Sequence, residues 1–294
     1  MKDSVSKFKG LGVAIVTPFL SDGKIDFPSL EKLVADLVQN RVDYLVALGT
    51  TSESPTLSVD EKAEVVKCIA SVNQNRLPIM MGLGGPNTDG VAQELKSVDK
   101  LPVDAVLSVT PYYNKPSQEG LYQHYKCLSE SSPRPIVLYN VPGRTSCNVD
   151  ALTTIRIAEN CPNVIGIKEA SGKMKQIMYL LNHKPENFLI ISGDDLITLP
   201  LMAVGMDGLI SVVANAYPAE MSNMVHLAMN DQFIKARLYH DKLFDITQAC
   251  FQEGNPSGIK AVMHAQGKID NVLRLPNVPV SEGLYDKILT LVKK

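Results

Sequence analysis

The feature of this sequence that most constrains its fold is a repeated alternation of short apolar runs with longer segments of helical periodicity. The runs are continuously apolar rather than alternating, which suits strands covered on both faces, as strands of parallel sheets are. The pattern therefore predicts repeated βα units around a parallel sheet. The eight predicted strands begin at Gly12, Asp43, Pro78, Asp104, Pro135, Asn163, Phe188 and Asp207.

The length of the chain decides between two kinds of parallel sheet. Eight strands and their crossover helices occupy about 225 of the 294 residues. This fits a closed (β/α)8 TIM barrel better than an open doubly wound sheet, because typical barrels have ~250 residues. Capping-type sequences at Ser58, Ser117 and Asp150 predict helix starts between strands. We predict an α/β protein with a catalytic barrel over residues 1–225 and a C-terminal helical subdomain over residues 226–294.

Composition excludes several classes of partner. The formal net charge is -2, and no long basic run marks a site for nucleic acid or an anionic membrane surface. No stretch approaches ~18 consecutive apolar residues, and the N-terminus lacks an apolar signal core. The five cysteines form no CxxC pair, and the five histidines form no HExxH motif. We therefore expect a cytoplasmic protein without a disulfide framework or zinc site.

A lysine lies where a barrel enzyme carries its chemistry, at the C-terminal end of a strand. Lys168 ends the sixth apolar run. An ammonium group at an apolar barrel mouth loses hydration, which favours the neutral amine, and a neutral amine attacks a carbonyl to form a protonated Schiff base. The alternative is a solvated lysine at a strand end, or one paired with the neighbouring Glu169.

Hydroxyl groups and a guanidinium follow two other strands. Tyr139 ends the fifth run, beside Lys168 if the strands are neighbours, and a phenol there can shuttle protons. Thr50 and Thr51 follow the second run, where hydroxyls and backbone N–H groups suit a substrate carboxylate. Arg144 offers a fork for a second carboxylate. The plain alternatives are an ordinary Gly-Thr turn and a surface arginine.

The fourth strand leads into a proline-bounded loop with two adjacent tyrosines, Tyr112 and Tyr113. From position alone they are either packing anchors or members of the proton relay.

Together these segments resemble the dihydrodipicolinate synthase family of the pyruvate-dependent class I aldolase superfamily. The resemblance implies a lyase that condenses pyruvate with L-aspartate 4-semialdehyde to 4-hydroxy-tetrahydrodipicolinate in lysine and diaminopimelate biosynthesis. It also implies a homotetramer, a dimer of dimers, without metal or organic cofactor. The motifs are GTTSES from Gly49, TPYYNKPSQEGLYQHY from Thr110, YNVPGRT from Tyr139, GIKEASG from Gly166, SGDD from Ser192 and GLISV from Gly208.

The resemblance also implies roles for single residues. Lys168 forms the imine with pyruvate, and Tyr139 is the proton donor and acceptor. Thr50 and Tyr113 complete a hydroxyl relay, with Tyr113 reaching across a subunit interface. The substrate-binding residues are Thr51 and the Ile210 backbone for pyruvate, Arg144 for the semialdehyde carboxylate, and Gly193 of the SGDD motif.

Three other functions compete with this interpretation. N-acetylneuraminate lyase or another 2-keto-acid aldolase uses the same lysine and tyrosine, but Arg144 and the doubled Tyr112-Tyr113 resemble the synthase. A catalytically silent barrel has no reason to keep Lys168, Tyr139 and Thr50 at one rim. A pyridoxal phosphate enzyme needs a phosphate-binding glycine loop, which is not obvious here.

The sequence departs from the family pattern at two places. Ser52 stands where the family usually has glycine, and its Cβ excludes the freest backbone conformations. Val59 and Lys62 stand where feedback-inhibited relatives commonly have histidines that bind lysine, and Gly90 replaces an acidic ligand. We therefore predict weak or absent inhibition by lysine.

Overall fold

The computed structural model describes residues 5–293, and its centre is a closed ring of parallel strands. The strands follow one another in chain order, and the last pairs with the first, Gly10 opposite Gly208. The predicted (β/α)8 barrel with a C-terminal helical extension is confirmed. The strands are β1 (Gly10–Ala14), β2 (Tyr44–Ala47), β3 (Ile79–Gly82), β4 (Ala105–Val109), β5 (Ile136–Asn140), β6 (Val164–Glu169), β7 (Leu189–Ser192) and β8 (Gly208–Ser211).

Helices surround the ring and continue beyond it. They are α1 (Phe27–Gln39), α2 (Val59–Asn73), α3 (Thr88–Ser97), α4 (Gln118–Ser131), α5 (Pro142–Thr145), α6 (Ala151–Asn160), α7 (Met174–His183), α8 (Thr198–Ala203), α9 (Pro218–Met229), α10 (Phe233–Gln252), α11 (Ser257–Ala265) and α12 (Glu282–Val292).

Capping agrees with the sequence at two helix starts and differs at a third. Ser58 and Glu61 form the predicted capping box of α2, and the Ser117 side chain accepts the Gly120 N–H at the start of α4. Asp150 precedes α6, but its side chain makes no capping bond. The carboxylate instead accepts a hydrogen bond from Asn148 Nδ2 at 2.7 Å.

The apolar side chains form two layers. Residues that point into the ring, among them Met80, Val137 and Ile210, form the barrel interior. Leu45, Leu138 and other outward residues pack against the helices in a larger cluster. Every strand is therefore covered on both faces, which explains why its sequence is continuously apolar.

The first strand begins and ends earlier than predicted. β1 runs from Gly10 to Ala14 rather than through the apolar run that begins at Gly12. The Ile15 N–H still donates to the Val46 carbonyl of β2 at 3.0 Å, but the chain then leaves the ladder, because the Val16 N–H donates to Asn215 Oδ1 at 3.1 Å and Pro18 has no N–H to donate.

The helices after β8 pack on the barrel and on one another. α10 lies against α8, α9, α11 and α12. The predicted boundary after residue 225 falls within α9, and the division into two units stays a prediction. None of the helices within residues 5–293 combines the length and hydrophobicity that a membrane span requires.

Candidate active site

A cavity of about 1390 Å³ opens at the C-terminal ends of the strands. Tyr113 and Ile210 lie outside its lining, although Ile210 is buried in the barrel interior beneath the mouth. The other six residues predicted from the sequence line this one cavity: Thr50, Thr51, Tyr139, Arg144, Lys168 and Gly193.

Lys168 is buried at the floor of this mouth. Its residue is 5% exposed, and Nζ lies 4.3 Å from the centre of the Tyr139 ring. No carboxylate among residues 5–293 lies within ion-pair distance of this nitrogen. The amine is therefore free to react with an electrophile that enters the cavity.

Pairing of Lys168 with Glu169, one of the plain alternatives, is wrong. Successive strand residues point to opposite faces, so the buried Glu169 carboxylate lies away from the amine. It accepts hydrogen bonds from Asn140 Nδ2 at 3.0 Å, the Ser171 N–H at 2.6 Å and Gln176 Nε2 at 3.1 Å.

The register of β5 and β6 sets Tyr139 beside Lys168. Tyr139 pairs with Lys168, and Asn140 pairs with Glu169 one residue later. The register shifts by one residue between Ile136 and Val137, at the start of β5, and this shift places Tyr139 opposite Lys168 rather than opposite Ile167. Tyr139 and Lys168 therefore face the cavity, whereas Asn140 and Glu169 point to the other face of the strands and are hydrogen-bonded to each other.

Gly193 gives the Lys168 side chain its space. A Cβ at this position would lie 2.9 Å from Lys168 Cε and 2.8 Å from the Ala170 Cβ. Both separations are shorter than van der Waals contact, so a larger residue would displace the lysine.

The turn after β2 accommodates serine without strain. Thr50–Ser52 forms a 3₁₀ turn, in which the Ser52 hydroxyl donates to the Gly49 carbonyl at 2.7 Å. The Thr17 hydroxyl in turn donates to the Ser52 carbonyl at 2.8 Å. It is Glu53, the next residue, that takes a positive φ of 55°. The Cβ of Ser52 therefore does not disturb the turn.

Asn255 is a cavity residue that sequence reasoning missed. Its side-chain Nδ2 donates to Thr51 Oγ1 at 3.0 Å, and its backbone carbonyl accepts from Arg144 Nη2 at 3.1 Å. It also lines the cavity. Its only sequence signal is an Asn-Pro dipeptide between two helices, which does not identify a site residue. The C-terminal extension thus contributes directly to the mouth of the barrel.

The two tyrosines of the loop after β4 differ in position. Tyr112 is partly exposed and lines the cavity, whereas Tyr113 is 92% exposed at a positive φ of 75°. Within one chain neither serves as a buried packing anchor.

A buried carboxylate organises the end of β8. Asp195 accepts hydrogen bonds from the Ser211 hydroxyl and from the N–H groups of Val212 and Val213. Burial raises the pKa of Asp195, and these hydrogen bonds oppose the rise. The contacts fix the backbone just after Ile210, whose main chain is a predicted pyruvate ligand.

A comparison with models of protein families identifies the family of this chain. A model of the Dihydrodipicolinate synthetase family matches residues 7–294. The chain belongs to the dihydrodipicolinate synthetase family. The resemblance inferred from the motifs is thereby confirmed.

Similar members of the dihydrodipicolinate synthetase family match along almost their full length. The 4-hydroxy-tetrahydrodipicolinate synthase of Parabacteroides distasonis is 48% identical over 286 residues, which are 97% of this chain and 96% of the relative. The dihydrodipicolinate synthase structure from Thermotoga maritima has a TM-score of 0.95 at 42% identity and covers 98% of both chains. A monomeric dihydrodipicolinate synthase variant has a TM-score of 0.96 at 41% identity, covering 99% of this chain and 98% of its own.

Proposed function

We propose that this chain is a lyase that condenses pyruvate with L-aspartate 4-semialdehyde through a Schiff base on Lys168. The product is 4-hydroxy-tetrahydrodipicolinate, which enters lysine and diaminopimelate biosynthesis. One observation carries the proposal: the Lys168 amine is buried at the cavity floor, free of any carboxylate within residues 5–293, and lies against Tyr139. The names of the similar proteins support the same activity.

The chemistry follows from the amine. Lys168 Nζ adds to the C2 carbonyl of pyruvate, and loss of water leaves a protonated imine. The imine withdraws electrons, so C3 loses a proton and becomes a nucleophilic enamine carbon. This carbon bonds to the aldehyde carbon of the semialdehyde, whose oxygen takes up a proton. Attack by the substrate's own amino group on the imine carbon then closes the ring and releases Lys168.

Each of these proton transfers needs a donor and an acceptor. Tyr139, whose ring packs against the Lys168 amine, is the proposed proton shuttle, with Thr50 as the next hydroxyl of the relay. Ordered hydroxyl groups move protons without admitting bulk water to the imine.

Two acid substrates require two carboxylate sites. Thr51, with its hydroxyl held by Asn255, and the Ile210 backbone are proposed to bind pyruvate beside Gly193. Arg144 at the rim is proposed to bind the semialdehyde carboxylate through its guanidinium. No cofactor enters this scheme, because the imine itself is the electron sink.

We also propose a cytoplasmic homotetramer, a dimer of dimers, in which Tyr113 completes the relay of a neighbouring subunit. The support is that Tyr113 is almost wholly exposed and lies outside its own cavity. Met174 and Met178, one turn apart on α7, are exposed apolar residues suited to a second contact. Mixing inactive Lys168→Ala and Tyr113→Phe subunits tests this, because mixed oligomers should regain activity if the tyrosine acts across an interface.

Borohydride reduction in the presence of pyruvate tests the imine. Peptide mass mapping should find the reduced adduct on the peptide that contains Lys168. A mass increase on another peptide, or on none, would overturn the mechanism. The acceptor is tested separately with aspartate 4-semialdehyde and N-acetylmannosamine, and we expect turnover only with the first.

A further inference from the structure

Glu53 takes part in an ion pair that solvent does not reach. Its Oε1 atom lies 2.6 Å from Lys260 Nζ, and both side chains are fully buried. In every other ion pair formed within residues 5–293, at least one side chain is exposed in part. The pair joins the turn after β2 to helix α11, and so it connects the barrel to its C-terminal extension.

Further contacts surround the pair. Glu53 Oε2 accepts hydrogen bonds from the Arg274 N–H at 3.1 Å and from Asn277 Nδ2 at 3.4 Å. Lys260 Nζ donates to the Val272 carbonyl at 3.0 Å and lies 4.1 Å from the centre of the Phe19 ring. The carboxylate is thus held by several parts of the C-terminal segment at once.

Stability alone does not account for this arrangement. Buried ion pairs are often no better for stability than apolar residues of the same volume, because both charges lose hydration. Here burial lowers the pKa of Lys260 to about 8, although Glu53 opposes the decrease. Glu53 also adopts the left-handed backbone region, which non-glycine residues rarely occupy unless their surroundings enforce it.

The pair acts on the part of the chain that carries substrate-binding groups. The Glu53 N–H donates to the Thr50 carbonyl at 3.1 Å, which closes the Thr50–Ser52 turn. On the other side of that turn, Asn255 holds the Thr51 hydroxyl. The C-terminal extension therefore holds the turn at two points, through Glu53 and through Thr51.

We propose that Glu53 and Lys260 are positioning residues, whose buried pairing holds the Thr50 and Thr51 groups where a keto-acid carboxylate binds beside Lys168. This inference rests on the proposed function. Neither residue contacts substrate; both act through the backbone of the turn.

Glu53→Gln is the main test, because it removes the charge while keeping the size and a hydrogen-bond acceptor. We expect KM for pyruvate to rise ~10-fold or more, since small displacements of binding groups have large kinetic effects. KM for aspartate 4-semialdehyde should change less than ~3-fold, because Arg144 bonds to the main-chain carbonyl of Asn255 and makes no hydrogen bond to the turn itself. Glu119→Gln is the matched control: it removes an ion pair with Arg156 between helices α4 and α6, and that pair includes no residue of the turn or of the C-terminal extension. Both KM values of the control should stay near those of the wild type.

The double variant Glu53→Gln/Lys260→Met separates positioning from folding. Lys260→Met alone leaves a buried carboxylate without its cation and should lower Tm. In the double variant no buried charge is left unpaired, so Tm should recover while KM for pyruvate stays raised. Recovery of both, or equal changes in both KM values of Glu53→Gln, would overturn the positioning role.

Borohydride trapping of wild-type enzyme is run in parallel. Absence of a pyruvate adduct in the wild type would overturn the proposed function itself. A normal adduct in the wild type, together with an unchanged pyruvate KM in Glu53→Gln, would overturn only the inference about the pair.

Discussion

Lys168 Nζ lies 4.3 Å from the centre of the Tyr139 ring, and the two residues are partners in register across β5 and β6. The phenol and the amine are therefore held by strand backbone rather than by a loop. Groups fixed in this way keep their relative position throughout a reaction with several proton transfers.

Replacing Tyr139 by phenylalanine should remove proton transfer but not imine formation at equilibrium. The ring still packs against Lys168, so pyruvate should still be trapped by borohydride, while kcat falls ~100 to 10,000-fold as for a positioned acid or base. Steady-state kinetics and mass mapping measure the two effects. Tyr122→Phe, on helix α4, is the control. An unchanged kcat in Tyr139→Phe would remove this phenol from the relay.

Gly193→Ala should disturb the amine directly. The added methyl would meet Lys168 Cε and the Ala170 Cβ, and we expect the rate of imine formation to fall ~10-fold or more because the reactive nitrogen is displaced. Single-turnover trapping with pyruvate measures this rate. Gly283→Ala in α12, where a Cβ meets no atom within 4 Å, should behave as wild type. Equal rates of imine formation in the wild type, Gly193→Ala and Gly283→Ala would contradict the packing argument.

Arg144→Met should affect the second substrate more than the first. Loss of a charge-assisted hydrogen bond, about 1.5–3 kcal/mol, corresponds to a KM for aspartate 4-semialdehyde raised ~10-fold or more. KM for pyruvate should change little. Arg156→Met, which removes an outward-facing ion pair with Glu119, is the matched control. A selective rise in KM for pyruvate would instead assign Arg144 to the other carboxylate.

His124 should make the stability of the protein depend on mildly acidic pH. Burial lowers the pKa of His124 to about 4 from the ordinary 6.5. Between pH 4 and pH 6.5, the imidazole of His124 therefore binds a proton in the unfolded chain but not in the native protein. The free energy of unfolding should therefore fall as pH drops from 6.5 to 4, by up to about 3 kcal/mol.

Denaturant unfolding of His124→Gln measures this contribution. The variant should lose less stability than the wild type between pH 7 and pH 5. Parallel pH profiles for wild type and His124→Gln would show that another group is responsible.

Lysine should inhibit this enzyme weakly or not at all. Lys62 lines the cavity as a cation and repels the amino groups of lysine, and the 81% exposed Val59 has no side-chain hydrogen-bonding group. Initial rates with and without millimolar lysine test this. Strong inhibition at low lysine would refute the prediction without affecting the catalytic assignments.

Local patterns were sufficient to predict most of the architecture. Strands covered on both faces are apolar throughout, and all eight were found because this pattern lies within single segments. The start of β1 was misplaced because Gly10 follows a charged segment and gives no apolar signal. Its membership of the strand is set by pairing with Gly208, about two thirds of the chain length away.

The residues of the site were also predictable only where local sequence signals them, and not where contacts between distant segments decide. Lys168 and Tyr139 were found because strand ends converge in a barrel. Their being neighbours in sequence did not show whether Lys168 and Glu169 form an ion pair. The Glu169 carboxylate is instead bound by Asn140 of β5 and Gln176 of α7, which the local sequence does not reveal. Asn255 was missed because its partner Thr51 is 204 residues away in sequence.

That separation also makes the turn after β2 depend on helices that lie outside the ring of strands. Without Asn255 and Lys260, the Thr50–Thr51 turn would keep its own backbone hydrogen bonds but lose the side-chain contacts that hold it from outside. A barrel cut off after β8 would therefore keep Lys168 and Tyr139 on adjacent strands while losing the supports of the turn beside them.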